Sequence, residues 1–139
     1  MEIVCRPMTI SDYRQARQLW EETPGIGLSG ADERIMIRRF LRHNSGTSYV
    51  ALAGRKIVGT ALCGHDSRRG YLYHLAVKEQ YQNQGIGTDL MERCLSSLKK
   101  RGLEKVHLFV YGTNVKAMEY YRKKGWEERT KLRIFSKTL

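Results

Sequence analysis

The sequence predicts an α/β fold in which residues 1–139 form a single domain around a mixed sheet. Three observations predict it. Segments rich in β-branched and aromatic residues alternate with segments of helical periodicity along the chain. One pair of strands is joined by Gly54-Arg55 alone, a connection that only an antiparallel hairpin can use. A later pair is separated by one amphipathic helix, the right-handed crossover that sets two strands parallel.

The elements follow in order. Thr9 to Glu22 reads as an amphipathic helix: Thr9-x-x-Asp12 resembles a capping box, and Ile10, Tyr13, Ala16, Leu19 and Trp20 recur at helical spacing. Pro24, Gly25, Gly27 and Gly30 break the pattern and mark a loop. A second helix runs from about Asp32, with Ile35, Met36, Phe40 and Leu41 on one stripe, to Asn44 and Gly46. Two helices are thus expected before any strand. Ser48–Ala53, Lys56–Gly64 and Tyr71–Val77 then form an antiparallel meander, the last two joined by a polar turn, Asp66 to Gly70. Gly87 to Arg101 is a helix stopped by Gly102, and Lys105–Val110 is the strand that returns parallel. A helix over Val115–Lys124 ends at Gly125, and a last strand is expected from Trp126 to Lys137.

Composition narrows the function classes. The chain carries 25 Lys and Arg against 14 Asp and Glu, a formal charge of +11, and 41% of its residues are hydrophobic, enough to offset the entropy of ordering. Met1 to Pro7 lacks the apolar stretch of a secretory signal, and no apolar run approaches the ~20 residues of a membrane span. The three cysteines, Cys5, Cys63 and Cys94, are odd in number and far apart, without a Cys-x-x-Cys pair. That spacing supports neither a disulfide framework nor a metal site, and it fits free thiols in a reducing cytoplasm.

Gln82-Asn83-Gln84-Gly85-Ile86-Gly87-Thr88 lies between a strand and the helix it opens. Glycines there let several N–H groups converge at a helix N-terminus, where the dipole favours a phosphate. A plain glycine-rich connection is the other reading. The dinucleotide fingerprint fails, because its third glycine is Leu90, and no Gly-Lys-Ser/Thr follows to make a P-loop.

A second constellation lies thirty residues further on, Asn114-Val115-Lys116-Ala117-Met118-Glu119-Tyr120-Tyr121-Arg122-Lys123-Lys124-Gly125-Trp126. Together the two segments resemble the GNAT superfamily of acyl-CoA N-acyltransferases. That family's pattern is Arg/Gln-x-x-Gly-x-Gly/Ala after a strand, then Asn-x-x-Ala-x-x-x-Tyr-x-x-x-Gly-Phe. Gln82, Gly85 and Gly87 match the first part; Asn114, Ala117, Tyr121, Gly125 and Trp126 match the second, with Trp for Phe. The resemblance spans essentially the whole chain. The Gly64-to-Gly70 turn before Tyr71–Val77 is similar to that of small bacterial members.

The resemblance implies a splayed parallel strand pair and transfer of an acetyl group from acetyl-CoA to a primary amine of a small molecule or protein, by direct attack. Leu75, Ala76 and Val77 would pair with the pantetheine arm, with the Val77 N–H as oxyanion donor. Gln82, Asn83, Gln84, Gly85, Ile86, Gly87 and Thr88 would cradle the pyrophosphate, although many members have Arg where this chain has Gln82 and Gln84. Tyr121 would be the general acid for the thiolate; Asn114 would bond the pantetheine or fix its loop, beside Ala117; Lys123 would reach a CoA phosphate or simply face solvent. The base is open between His74, Asp66, Glu79 and an amine that arrives deprotonated.

The acceptor is unspecified. The charge of +11 suits an acidic acceptor, and a solvated basic surface equally. An RNA- or ribosome-associated module and a CoA sensor without turnover are the alternatives, and the lack of an aromatic-interleaved basic motif counts against the first. The loop from Pro24 to Gly30 is where acceptor specificity is expected. A monomer and a homodimer are both compatible with the sequence.

Overall fold

The computed structural model describes residues 2–139, which divide into two compact units, Met1–Phe109 and Val110–Leu139. The first unit holds five strands: β1 (Ile3–Pro7), β2 (Tyr49–Ala53), β3 (Lys56–His65), β4 (Gly70–Val77) and β5 (Val106–Leu108). They form one sheet in the order β1-β2-β3-β4-β5. The first three pairings are antiparallel and β4–β5 is parallel. The expected α/β mixed sheet, its meander and its parallel pair are therefore present.

Helices α1 (Tyr13–Glu22) and α2 (Arg34–His43) pack on one face of the sheet. Ala16, Leu19 and Trp20 of α1 and Ile37 of α2 form a buried cluster with Val50, Ile57, Leu62 and Ala76. Helix α3 (Ile86–Lys100) covers the other face with Leu90, Met91, Cys94 and Leu98. Two sheet glycines let it approach: a Cβ at Gly59 would lie 3.0 Å from Leu90 Cδ1, and one at Gly70 2.5 Å from Leu98 Cδ1. β3, in the middle, is buried from Ile57 to Gly64, as a strand covered on both faces must be.

Two expectations are corrected. Two helices do not precede every strand, because Ile3–Pro7 forms β1, an edge strand paired antiparallel with β2. Edge strands bury little, and Val4 is exposed, so the alternation that announces a half-buried strand is missing there. What fixes β1 is polar: Arg6 donates two hydrogen bonds of 2.8 Å to the carboxylate of Asp12, in the 3₁₀ turn Ile10–Asp12 ahead of α1. Thr9 N–H donates to the same carboxylate at 2.9 Å, as the capping-box spacing implied.

The second correction concerns the last strand. No strand occurs among residues 126–139, where Leu132, Ile134 and Phe135 are exposed, the last at 91%. Their β-branched and aromatic character is a strand signal, but a strand forms only where a ladder partner completes it. The second unit keeps one helix, α4 (Val115–Lys123). Among the described residues no helix is long and apolar enough to cross a membrane, and no cluster of His, Cys, Asp or Glu could hold a metal ion.

Candidate active site

The parallel ladder between β4 and β5 ends at Leu72↔Leu108, so β4 continues to Val77 without a partner on that side. Hydrogen bonds in an antiparallel ladder alternate between the two edges of a strand. Lys78 N–H donates to Val58 C=O at 2.8 Å, and Ala76 pairs with Thr60, so the main chain of Val77 turns to the unpartnered edge. Of the three expected pantetheine-pairing residues, Ala76 is thus spent on β3 and the core, while Val77 presents its N–H outward. The Val77 C=O is taken: Gln82 Nε2 donates to it at 2.9 Å.

A bulge re-aims the strand just before this point. The register passes from Leu62↔Tyr73 to Thr60↔Ala76, so His74 and Leu75 together oppose Ala61. His74 takes up the turn with a left-handed φ of +48°. Thr60 Oγ1 holds it, donating to His74 C=O at 3.0 Å while accepting from the indole N–H of the buried Trp20 at 2.9 Å. The imidazole lies tilted against the Trp20 ring, centroids 4.7 Å apart and planes at 58°.

The partner of the imidazole is Asp32, whose role the sequence reading missed. His74 Nε2 lies 2.6 Å from Asp32 Oδ1, with the two side chains 14% and 10% exposed. Asp32 ends the 3₁₀ turn Gly30–Asp32 at the close of the Pro24–Gly30 loop, and its Oδ2 accepts from Ser29 N–H at 3.0 Å. A carboxylate in its ionised form only accepts, so beside one Nε2 is the donor, and in a neutral imidazole that tautomer leaves the lone pair on Nδ1, which has no protein partner among the described residues. Ser29-x-x-Asp32 is a capping-box spacing, a signal for a turn; nothing in it announces a partner 42 residues away. The other carboxylate candidates lie elsewhere. Asp66 is exposed and accepts the N–H groups of Arg68 and Arg69, at 2.8 Å each, and those bonds hold its carboxyl below the usual range. Glu79 is exposed in a 3₁₀ turn.

Beyond β4 the glycine turn enters α3. Gly85 is the N-cap at a left-handed φ of +83°, and no side chain caps the helix. The first intrahelical bond is Asp89 N–H to Gly85 C=O, 3.0 Å, so the N–H groups of Ile86 and Gly87 precede it with no protein acceptor among the described residues. A Cβ at Gly85 would meet nothing within 4 Å. Gln82, Asn83 and Gln84 are exposed, the last with its Nε2 3.5 Å from Gln80 C=O; Ile86 is buried and Thr88 is half-buried. This open helix terminus with unmet donors fits an anionic phosphate group.

In the second unit, Asn114 caps α4: its Oδ1 accepts from Ala117 N–H at 3.2 Å, so the residue fixes its loop. The Gly-Trp pair closes the helix. Gly125, at φ +90°, donates to Arg122 C=O at 3.1 Å, and Trp126 N–H donates to Tyr121 C=O at 3.0 Å, a Schellman arrangement. Its apolar contact is the Trp126 ring against Tyr121, centroids 5.8 Å apart. Burial, with a smaller contribution from neighbouring Tyr120, pushes the Tyr121 phenol up to about 12. Lys123 is exposed.

The acetyltransferase (GNAT) family profile matches residues 13–126. The chain is 32% identical over 129 residues to "Acetyltransferase plu1384" of Photorhabdus laumondii, covering 92% of this chain and 90% of that protein. It is 30% identical over 128 residues to "Acetyltransferase SG1711" of Sodalis glossinidius, covering 92% and 89%. Its fold is similar to that of the PaiA N-acetyltransferase of Thermoplasma acidophilum in complex with coenzyme A, with TM-score 0.76, 20% identity and 89% of each chain covered. On these matches, and with the open β4 edge beside an uncapped glycine turn, the chain belongs to the GNAT family of acetyltransferases.

Proposed function

We propose that this acetyltransferase moves an acetyl group from acetyl-CoA to a primary amine by direct attack, with His74 as the base. One observation carries the reading: the unpartnered edge of β4 at Val77 is followed, after the 3₁₀ turn Glu79–Tyr81, by the uncapped N-terminus of α3. A strand edge offers main-chain groups to an extended amide-bearing chain, and a helix terminus offers N–H groups to phosphate. Bound there, acetyl-CoA supplies an activated acetyl thioester.

The residues divide the remaining work. Ile86 and Gly87 N–H, in the open turn of Gln82 to Thr88, hold the pyrophosphate. Val77 N–H donates to the carbonyl oxygen, where negative charge develops. His74 Nδ1 takes the amine proton, and Asp32 sets the tautomer that leaves Nδ1 unprotonated and steadies the imidazolium that forms. Tyr121, matching the family's general acid, keeps its phenolic proton at neutral pH because burial has raised its pKa to about 12. Leu75 adds main chain to the open edge, and Asn114 with Ala117 fixes the loop that opens α4. Three free cysteines suit a cytoplasmic location.

Thermal unfolding with acetyl-CoA, with NADH and ATP as controls, tests the cosubstrate by linkage. Stabilisation by acetyl-CoA alone, followed by thiol release on adding an amine, is the expected result. A folded sample that millimolar acetyl-CoA leaves unshifted would remove this reading.

A further inference from the structure

Helices α1 and α2 leave a groove of about 520 Å³ lined by Tyr13, Arg14, Arg17, Gln18, Glu21 and Arg34, a volume suited to a small ligand or a few residues of a peptide. Its charge is one-sided. Three guanidinium groups face one carboxylate, and that carboxylate, Glu21, is paired with Arg17 at 3.2 Å. Among the described residues Arg14 and Arg34 make no ion pair; Arg34 lies instead over the face of Tyr13, 6.0 Å from its centroid. A guanidinium offers planar, paired donors that match a carboxylate.

The groove adjoins the reaction centre through its own wall. Tyr13 Oη–H donates to Asp32 C=O at 2.6 Å, Arg17 donates to the same oxygen at 3.1 Å, and the side chain of Asp32 holds His74. The path from the Tyr13 hydroxyl through Asp32 to the imidazole, two contacts of 2.6 Å with one residue between them, spans at most about 10 Å, within the reach of about three extended residues.

We propose that this groove selects the acceptor: an amine bearing carboxylates within about three residues of its amino group, the carboxylates on Arg14 and Arg34 and the nitrogen at His74. The inference rests on the acetyl-transfer reading and names the substrate class of that same site. It also gives part of the charge of +11 a use.

The test uses three peptides differing at positions 2 and 3, with Glu-Glu, Gln-Gln or Lys-Lys, and free glutamate as a fourth acceptor. Acetylation is followed by thiol release, and binding of the labelled Glu-Glu peptide by fluorescence anisotropy without acetyl-CoA. The expected result is kcat/KM at least tenfold higher for Glu-Glu than for Gln-Gln, with the ratio collapsing in R14Q/R34Q while the acetyl-CoA thermal shift is unchanged. Free glutamate matching the Glu-Glu peptide would identify a small-molecule source of the same chemistry. Equal rates for Glu-Glu and Gln-Gln, a preference that survives R14Q/R34Q, or no binding of the labelled Glu-Glu peptide would overturn the proposal. The two readings fail separately, since anisotropy reads the groove alone and the acetyl-CoA shift reads the cosubstrate site alone.

Discussion

His74 Nε2 and Asp32 Oδ1 lie 2.6 Å apart although 42 residues separate them in the chain. One sits on the bulge of β4 and the other ends the loop between α1 and α2, so the bond fastens that loop to the open strand edge. It also leaves Nδ1, the nitrogen to which the proposed mechanism gives the amine proton, without a protein partner among the described residues. The pair therefore joins a positioning residue to a proposed base.

His74→Gln and Asp32→Asn separate these roles. General-base catalysis contributes about 10²–10⁴-fold, so His74→Gln is expected to lower kcat by about a hundredfold. Asp32→Asn keeps the ring but not its fixed tautomer and is expected to cost about tenfold. Neither changes the thermal shift with acetyl-CoA, because neither touches the α3 terminus. A full kcat in His74→Gln would assign the proton to water.

Tyr121→Phe removes only a phenolic oxygen and is expected to lower kcat about tenfold or more, with acetyl-CoA stabilisation retained. The raised pKa also has a stability consequence of definite sign. The folded state holds the proton more tightly than the unfolded state, so this contribution is complete below the ordinary tyrosine value of about 10 and is lost as pH rises towards 12. Urea unfolding across that alkaline window should fall less steeply for Tyr121→Phe than for the parent protein. Identical slopes would place no titrating burden on Tyr121.

Asp12 titrates at the other end of the scale. Burial alone would raise its carboxyl, but hydrogen bonds from Arg6 and Thr9 outweigh burial and hold it below the usual range. Its stabilisation is therefore present above a pH of about 4 and lost as the pH falls through the lowered folded value. Asp12→Asn should cost about 1–3 kcal/mol at neutral pH, since the two-oxygen ion pair with Arg6 is lost and the amide offers a single uncharged acceptor. Acid unfolding midpoints should then converge, and a constant difference down to low pH would contradict the assignment.

At Gly85 the backbone alone is at issue. A methyl group there meets nothing, yet φ of +83° is costly for any residue with a Cβ, by about 1 kcal/mol. Gly85→Ala should lower the unfolding midpoint by a few degrees and shrink the acetyl-CoA shift, as the turn relaxes and the donors of Ile86 and Gly87 lose their aim. An undiminished acetyl-CoA shift would mean that the turn holds no phosphate.

Much of this protein was legible in its residue order. Periodicity placed α1, α2, α3 and α4; connection lengths made β2, β3 and β4 a meander and β5 parallel; two glycine-containing motifs pointed to the family. Each is a local pattern, written by side chains within one turn or one strand of each other. Tertiary structure decided what depends on a distant partner. Ile3–Pro7 is a strand because β2 lies beside it, while the strand-like Trp126–Lys137 has no ladder among the described residues. Asp32 becomes a partner of His74 only when the loop after α1 folds over the bulge of β4. A hydrogen bond joins two points in space, and a sequence pattern records only neighbours along the chain.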